Sequence, residues 1–168
     1  SKRSIPTRMG RRRLKTAVRV PSSVMRTIRA ENMMTPMVMA AASAVKPKYA
    51  IVLEGTTASD IGETDEADEV CAVGKGAVLS FMDNGAIYDR KFLKLACDTA
   101  KRLGIPYQLK RAVAGGNEAG RIQKIGTGCH VLAISVPCRY IHSPVEMVEK
   151  SDVSAAARLI AAFAEKTL

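Results

Sequence analysis

The sequence predicts an α/β protein whose mixed sheet is flanked by helices. Two short, continuous apolar runs, YAIVL at 49–53 and VLAISV at 131–136, are typical of buried strands. Two longer stretches, 89–102 and 151–168, place apolar residues at helical spacing. Because strands and helices alternate along the chain, the sheet should carry helices on its faces. The 168 residues are enough for about one ordinary domain.

The first predicted elements are a helix and a strand. The run at 37–45 is apolar and helix-favouring, and it ends before Pro47, which cannot continue a helix. The strand at 49–53 is predicted to be covered on both faces because it has no polar residue. Glu54 and Gly55 are expected to close this strand.

An acidic loop, a second strand and a helix follow. Residues 59–69 contain six acids whose spacing lacks the order of a calcium loop, which favours a solvated loop. A strand at 74–82 is entered through a Gly-Lys-Gly turn. Asp89 is predicted to cap a helix that runs through Arg102, with Gly104 just past its end.

The last predicted elements are two strands and two helices. A strand at 107–113 leads through a glycine-rich turn into a short helix near 117–123. Pro137 is expected to close the strand formed by the run VLAISV. Ser151 or Asp152 is expected to cap the final helix.

The net charge of +10 is concentrated at the start of the chain. Residues 1–30 contain ten Lys or Arg and no acid, whereas the remainder is formally neutral. The chain is therefore divided into a basic, divergent segment at 1–35 and an α/β part at 36–168. An acid-free arm of this kind is typical of binding to nucleic acid or an anionic surface, and also of an organelle transit segment.

Composition and cysteine spacing exclude several classes of protein. No window approaches the roughly 20 apolar residues that cross a bilayer, so no membrane association is expected. The start also lacks the apolar stretch of a secretory signal. The four cysteines are far apart and predict reduced thiols in a cytoplasmic protein; they are Cys71, Cys97, Cys129 and Cys138.

Two residues at predicted strand ends are candidates for metal chemistry. Glu54 follows one buried run, and a carboxylate there is costly unless it is solvated, paired or bound to a cation. His142 lies just beyond the other run, before a Ser-Pro turn. His130 directly precedes that run, at the start of the predicted strand, and is interpreted as a packed or edge histidine. Ligands collect at strand ends in open α/β sheets. A glutamate and a histidine there could jointly bind zinc or cobalt.

Four ordered motifs extend this interpretation. They are VKPKYAIVLEGTTASDIGE (45–63), VGKGAVLSFMD (73–83), GIPYQLKRAVAGGNEAGRIQ (104–123) and ISVPCRYIHSPVEMVEKSD (134–152). Their order resembles that of glutamyl and tetrahedral aminopeptidases, dinuclear metallo-aminopeptidases that include proteins once labelled endoglucanases. The resemblance covers about residues 38–168 and implies the catalytic domain of these enzymes, truncated at its N-terminus.

The resemblance implies a peptide hydrolase with two divalent ions, zinc or cobalt, that share an activated water. Glu54 and His142 occupy the positions of metal ligands, one for each ion. Glu31 falls at the position of the general base. Glu118 and Arg139 are candidates for substrate binding, although Glu118 also stands where it could cap a helix.

The chain also departs from the family pattern. Asn32 replaces a ligand Glu, Pro6 stands where a bridging Asp is expected, and an early ligand His has no counterpart. Two of five expected ligands are therefore present, and the chain corresponds to roughly the C-terminal half of the usual protein. The family's large shells depend partly on a β domain that is absent here, so a homo-oligomer is expected only as one possibility.

Two functional hypotheses follow from these observations. The first is a metallo-aminopeptidase that removes N-terminal residues from peptides. The second is a non-catalytic remnant or binding module that keeps the α/β scaffold and contacts nucleic acid or an anionic surface through its basic arm. In the first hypothesis, residues 1–35 are a degenerate or frame-disturbed version of the family's metal-binding region.

Overall fold

The computed structural model describes residues 35–62, 64–65 and 68–167. Glu31 and the basic segment before it lie outside the described residues. The elements are α1 (Thr35–Val45), β1 (Tyr49–Thr57), β2 (Ala77–Leu79), α2 (Arg90–Leu103), β3 (Tyr107–Leu109), α3 (Ala119–Ile122), β4 (His130–Cys138) and α4 (Lys150–Thr167). Within the described ranges, no helix is both long enough and apolar enough to span a membrane.

The four strands form one mixed sheet in the order β1-β4-β2-β3. β1 runs parallel to β4 and β2 runs parallel to β3, while β2 and β4 are antiparallel. The predicted mixed sheet is therefore confirmed. Because β1 and β4 are parallel and in register from Tyr49↔His130 to Thr57↔Cys138, their carboxyl ends lie side by side. This edge of the sheet holds the candidate site.

The first apolar run is longer and less buried than predicted. β1 continues through Glu54 and Gly55 to Thr57, so these two residues lie within the strand and do not close it. Within the described residues, β1 also lies at the edge of the sheet, with β4 as its neighbour. Its apolar side chains are half-buried or exposed, and Leu53 is 56% exposed. The apolar run correctly predicted a strand, but among the described residues β1 is not covered on both faces. Coverage of a strand's faces is set by the elements that pack on it, which its own sequence does not specify.

β4 likewise extends past the residue that was expected to end it. Pro137 is buried within the strand and is paired in register with Thr56. The Cys138 carbonyl accepts from Ala58 N on the β1 side, so the Pro137 nitrogen faces the β2 side. β2 pairs with β4 only at Ile134 and Ser135, and no ladder bond is lost at Pro137. The two other strands, β2 and β3, are shorter than predicted.

The predicted capping residues of the two long helices have different roles in the structure. The Asp89 carboxylate accepts from Lys91 N and Phe92 N and caps α2, while Gly104 ends it in the left-handed conformation, as predicted. By contrast, α4 begins at Lys150, so Asp152 lies inside its first turn. The Asp152 carboxylate accepts instead from backbone amides 76 and 78 positions away in sequence. The prediction of a cap at Ser151 or Asp152 was therefore wrong.

The core joins the sheet to the two long helices. α2 and α4 pack against each other, and both contact β4. The rings of Phe92 and Phe163 meet with their centroids 4.7 Å apart at this junction. α1 packs on α3, which in turn contacts β1 and β4. α3 therefore lies against the two strands whose carboxyl ends hold the candidate site.

Candidate active site

Glu54 and His142 line one small cavity at the carboxyl ends of β1 and β4. The cavity has a volume of about 50 Å³, and its wall also includes Asp83, Lys110 and Asn117. Glu54 is held by β1, whereas His142 follows β4 by four residues. The structure thus brings together the two residues that strand-end reasoning selected as metal ligands.

A short hairpin after β4 carries His142 to the cavity. Arg139 and Met147 pair through two backbone hydrogen bonds and close the hairpin. Tyr140 and His142 adopt positive φ angles of 59° and 67°, a conformation that costs non-glycine residues roughly 1 kcal/mol or more. The Glu146 carboxylate compensates by accepting from His142 N at 2.8 Å. The strained turn at His142 is therefore held by a specific contact.

Gly55 allows the hairpin to approach β1 closely. A Cβ at this position would lie 3.3 Å from Ile141 Cδ1, which is tighter than an ordinary van der Waals contact. Ile141 directly precedes His142, so the absence of a side chain at Gly55 helps to set the distance between the hairpin and the Glu54 strand. The Leu-Glu-Gly-Thr motif thus places a half-buried carboxyl group next to the small residue that admits the hairpin.

The Glu54 carboxyl is poised to receive a cation. The pKa of Glu54 is raised from 4.5 to about 7, chiefly because the carboxyl is buried. Hydrogen bonding with Asn117 and the ammonium of Lys110 lower this pKa, whereas the charges of Asp83 and Glu118 raise it. A carboxylate in such a place is costly when it carries its charge alone. A bound cation or substrate ammonium would remove that cost, which is typical of functional carboxyl groups.

Asp83 anchors a buried network behind Glu54. Its carboxylate accepts from Gly85 N, Ala86 N, Tyr88 Oη and Asn117 Nδ2. The side-chain oxygen of Asn117 accepts from Ala119 N at 2.7 Å, at the start of α3. Because its oxygens already have four donors, Asp83 fixes Asn117, and Asn117 in turn contacts Glu54. The network orients the site through its hydrogen bonds.

Lys110 places a buried cation beside the same carboxyl groups. It is 6% exposed, and its Nζ donates to the Ala114 carbonyl at 2.6 Å. Burial lowers its pKa, whereas the neighbouring acidic groups, including Asp83 and Glu54, oppose that effect. Lys110 therefore balances part of the negative charge in the wall of the cavity. Sequence reasoning missed Asp83, Lys110 and Asn117 because their partners lie in other elements.

The described residues supply only part of a metal site. No group of three or more His, Cys, Asp or Glu side chains within residues 35–62, 64–65 and 68–167 is arranged to hold a metal ion. Glu54 and His142 supply a carboxylate oxygen and an imidazole nitrogen, which suit zinc or cobalt. Catalytic zinc sites normally take three protein ligands, so these two donors do not by themselves fit two ions.

Arg139 does not line the cavity but braces the acidic loop. Its guanidinium donates from Nε and Nη2 to the two carboxylate oxygens of Asp60, each at 2.8 Å. Asp60 also accepts from Val73 N, and its ion pair with Arg139 holds the pKa of the Asp60 carboxyl below its usual range. Most of the loop's described residues are exposed, as predicted for a solvated loop; they are 61, 62, 64, 65 and 68. A role for Arg139 in substrate binding stays a prediction.

Glu118 lines a second and larger cavity of about 580 Å³ next to the first. It lies at the N-terminal end of α3, where its side chain makes no capping hydrogen bond to the helix. Gly116 and Asn117 line both cavities, so the two are adjacent. The substrate role of Glu118 stays a prediction, and its side chain lines a cavity large enough to hold more than a few waters.

The remaining predicted candidates lie away from this site. His130 is exposed at the opposite end of β4, where its Nδ1 is 2.8 Å from the Asp89 carboxylate and its ring stacks on Tyr49.

All four cysteines are free thiols, as predicted. Burial raises the pKa of the Cys71 thiol to about 12, which makes it unreactive near neutral pH.

The fold is similar to that of aminopeptidases. A presumptive aminopeptidase of Acetivibrio thermocellus is 38% identical over 120 residues, which is 71% of this chain and 36% of that protein. The TET aminopeptidase of a marine sediment Thaumarchaeota archaeon superimposes with a TM-score of 0.74 at 31% identity, over 79% of this chain and 37% of that one. The TET1 peptidase of Pyrococcus horikoshii can assemble into a tetrahedron or a large octahedral shell. It superimposes with a TM-score of 0.63 at 28% identity, over 77% of this chain and 37% of that one.

Residues 37–159 match the M42 glutamyl aminopeptidases, and the chain belongs to this family. The matched region spans just over a third of the length of the relatives and solved structures above. The family resemblance and the α/β fold predicted from the sequence are both confirmed.

Proposed function

We propose that this chain carries the Glu54–His142 part of an aminopeptidase site and acts in the hydrolysis of N-terminal residues from peptides. The observation that supports this function is the meeting of Glu54 and His142 at one cavity, although they lie in separate elements. Membership of the family supports peptidase chemistry. A peptide is the expected substrate, and self-association of the chain stays a prediction.

Each residue has a distinct part in the proposed site. Glu54 and His142 would contribute ligands for zinc or cobalt, and the remaining ligands would come from outside the described residues. Such an ion, when bound, supplies Lewis acidity toward a carbonyl oxygen or a water. Asn117 and Asp83 hold the Glu54 carboxyl in place, and Lys110 balances charge. Glu31 is retained as the proposed general base, and Glu118 and Arg139 as proposed substrate residues.

Hydrolysis of alanyl-p-nitroanilide by the full chain in the presence of zinc or cobalt tests this function. We expect release of nitroaniline from the free-amine substrate and at least about a hundredfold lower kcat/KM for its N-acetylated form, because the site is built around carboxylates that receive an ammonium. Equal rates for the two substrates would contradict exopeptidase action. No hydrolysis with either metal would instead favour the non-catalytic scaffold with a basic arm.

A further inference from the structure

The exposed side of α2 carries a stripe of positive charge. Five cations and one acid of this helix are exposed and give a net charge of +4; they are Arg90, Lys91, Lys94, Asp98, Lys101 and Arg102. At about 100° per residue, all six lie within an arc of about 120° around the helix axis. The stripe is about 18 Å long, since a helix rises roughly 1.5 Å per residue. α2 thus presents a narrow, elongated cationic surface, the basic stripe.

Lys48 extends the basic stripe beyond the N-terminal end of α2. Its Nζ lies 5.6 Å from the centroid of the Tyr49 ring, and that ring lies 5.5 Å from the ring of Phe92 in the first turn of α2. His130 stacks on the same tyrosine, and its Nδ1 is 2.8 Å from the carboxylate of Asp89, the cap of α2. The positive charge therefore continues from α2 to the amino ends of β1 and β4.

The apolar face of α2 is already used by the fold. Phe92, Ala96 and Ala100 are buried, and α2 packs against α4 and β4. A helix that binds a membrane surface inserts its apolar face among the lipid chains. Because that face of α2 is occupied, the helix offers a partner chiefly its charged side. The basic stripe is therefore suited to contacts between ions and not to insertion into a bilayer.

The charge density of a nucleic acid duplex matches this surface. A duplex carries one negative charge per roughly 1.7 Å of its axis, so a length of about 18 Å holds about ten phosphates. Single strands are bound largely by stacking of bases on aromatic rings, and the one aromatic residue of α2, Phe92, is buried. Contacts to phosphates position a protein on a duplex without reading its sequence. The chemistry of the stripe thus fits the backbone of a duplex.

We propose that the basic stripe of α2, together with Lys48, binds the phosphate backbone of double-stranded nucleic acid without sequence preference. The ten Lys and Arg residues at 1–30 add to the attraction, whereas the stripe supplies cations at fixed positions on a helix. None of the residues of the stripe lines either cavity of the candidate active site. The interaction is therefore independent of the proposed function.

Fluorescence anisotropy with a labelled DNA duplex of about 20 base pairs tests the proposal on the full chain. Two duplexes of unrelated sequence should bind equally well, and affinity should fall as KCl rises from about 50 to 200 mM. The double variant Lys91→Gln/Arg102→Gln should bind at least about tenfold more weakly at the lower salt concentration. The slope of log affinity against log salt should decrease by about 1.8, because each phosphate contact contributes about 0.9.

A second double variant, Arg121→Gln/Lys124→Gln, is the matched control. It also removes one Arg and one Lys from exposed positions, in α3 and the turn after it. It should keep the wild-type salt slope, and both variants should keep the wild-type urea midpoint because the replaced side chains are exposed. The proposal is overturned if the wild-type chain does not bind the duplex, if the stripe variant binds like wild type, or if both variants lose equal affinity.

Sedimentation with phosphatidylserine-containing vesicles separates a duplex from an anionic membrane as the partner of the stripe. The stripe variant should bind these vesicles to the same extent as wild type. Loss of vesicle binding together with unchanged duplex binding would assign the stripe to a membrane and overturn the proposal. Hydrolysis of alanyl-p-nitroanilide should be unchanged in the stripe variant, so the outcome for duplex binding is separable from the outcome for the proposed peptidase function.

Discussion

Replacement of Glu54 with Gln should reduce kcat/KM for alanyl-p-nitroanilide by about a thousandfold. The Gln amide is the same size as the carboxyl group but cannot carry the negative charge that binds a cation. A thousandfold lower kcat/KM corresponds to the loss of about 4 kcal/mol of transition-state stabilisation. The comparison is made at saturating zinc or cobalt. Glu165→Gln, an exposed substitution on α4, should leave the rate unchanged.

The same substitution should stabilise the folded chain above about pH 7. The pKa of Glu54 is raised from 4.5 to about 7 by burial, so the folded state holds this proton more tightly than the unfolded state does. Its contribution to stability is greatest below the unfolded value and is lost as the pH rises to about 7. Urea unfolding of Glu54→Gln at pH 8 without metal should give a higher midpoint than wild type. Loss of both activity and stability would contradict the role assigned to the carboxyl.

Replacement of Asp152 with Ala should destabilise the fold by about 4 kcal/mol. The carboxylate is 1% exposed and accepts from Gly74 N at 2.6 Å and Gly76 N at 2.7 Å. Removing it leaves two amides without an acceptor, and each buried unsatisfied group costs roughly 1–3 kcal/mol. The turn that contains these amides also packs closely on its surroundings, since a Cβ at Gly76, where φ is +90°, would lie 2.2 Å from the Pro106 carbonyl oxygen.

Urea unfolding at pH 7 measures this loss, with Asp65→Ala as the control. Asp65 is exposed in the acidic loop, and its substitution should change the free energy of unfolding by less than about 0.5 kcal/mol. Because Asp152 ties the first turn of α4 to the turn that begins β2, its loss should lower the stability of the whole sheet. A variant with wild-type stability would show that solvent or another group can replace the carboxylate.

The sequence predicted those features that are encoded by neighbouring residues. Asp89 and Gly104 bound α2 because a side-chain cap and a left-handed glycine act within one helical turn. The placement of Glu54 and His142 at one cavity was also predictable, because each follows an apolar run and parallel strands bring their ends together. Local signals and one topological rule were sufficient in these cases.

Features that depend on strand order or distant partners were not predictable. The apolar residues of β1 suggested a strand covered on both faces, yet in the described part of the chain β1 lies at the edge of the sheet and its apolar side chains are half-buried or exposed. Asp152 looked like a helix cap because its partners, Gly74 and Gly76, lie far away in the sequence. Likewise, nothing near Asp83 indicates that Asn117 will hydrogen bond to it. These roles exist only once the sheet has formed.

The electronic absorption spectrum of bound cobalt tests most directly whether Glu54 and His142 form one site. The full wild-type chain should take up Co²⁺ and show visible d–d bands. Glu54→Gln and His142→Ala should each weaken cobalt binding by at least about tenfold and change the bands, while Glu165→Gln should match the wild type. Identical spectra and affinities in all four proteins, or no cobalt uptake by the wild-type chain, would contradict a shared metal-binding role for these two residues.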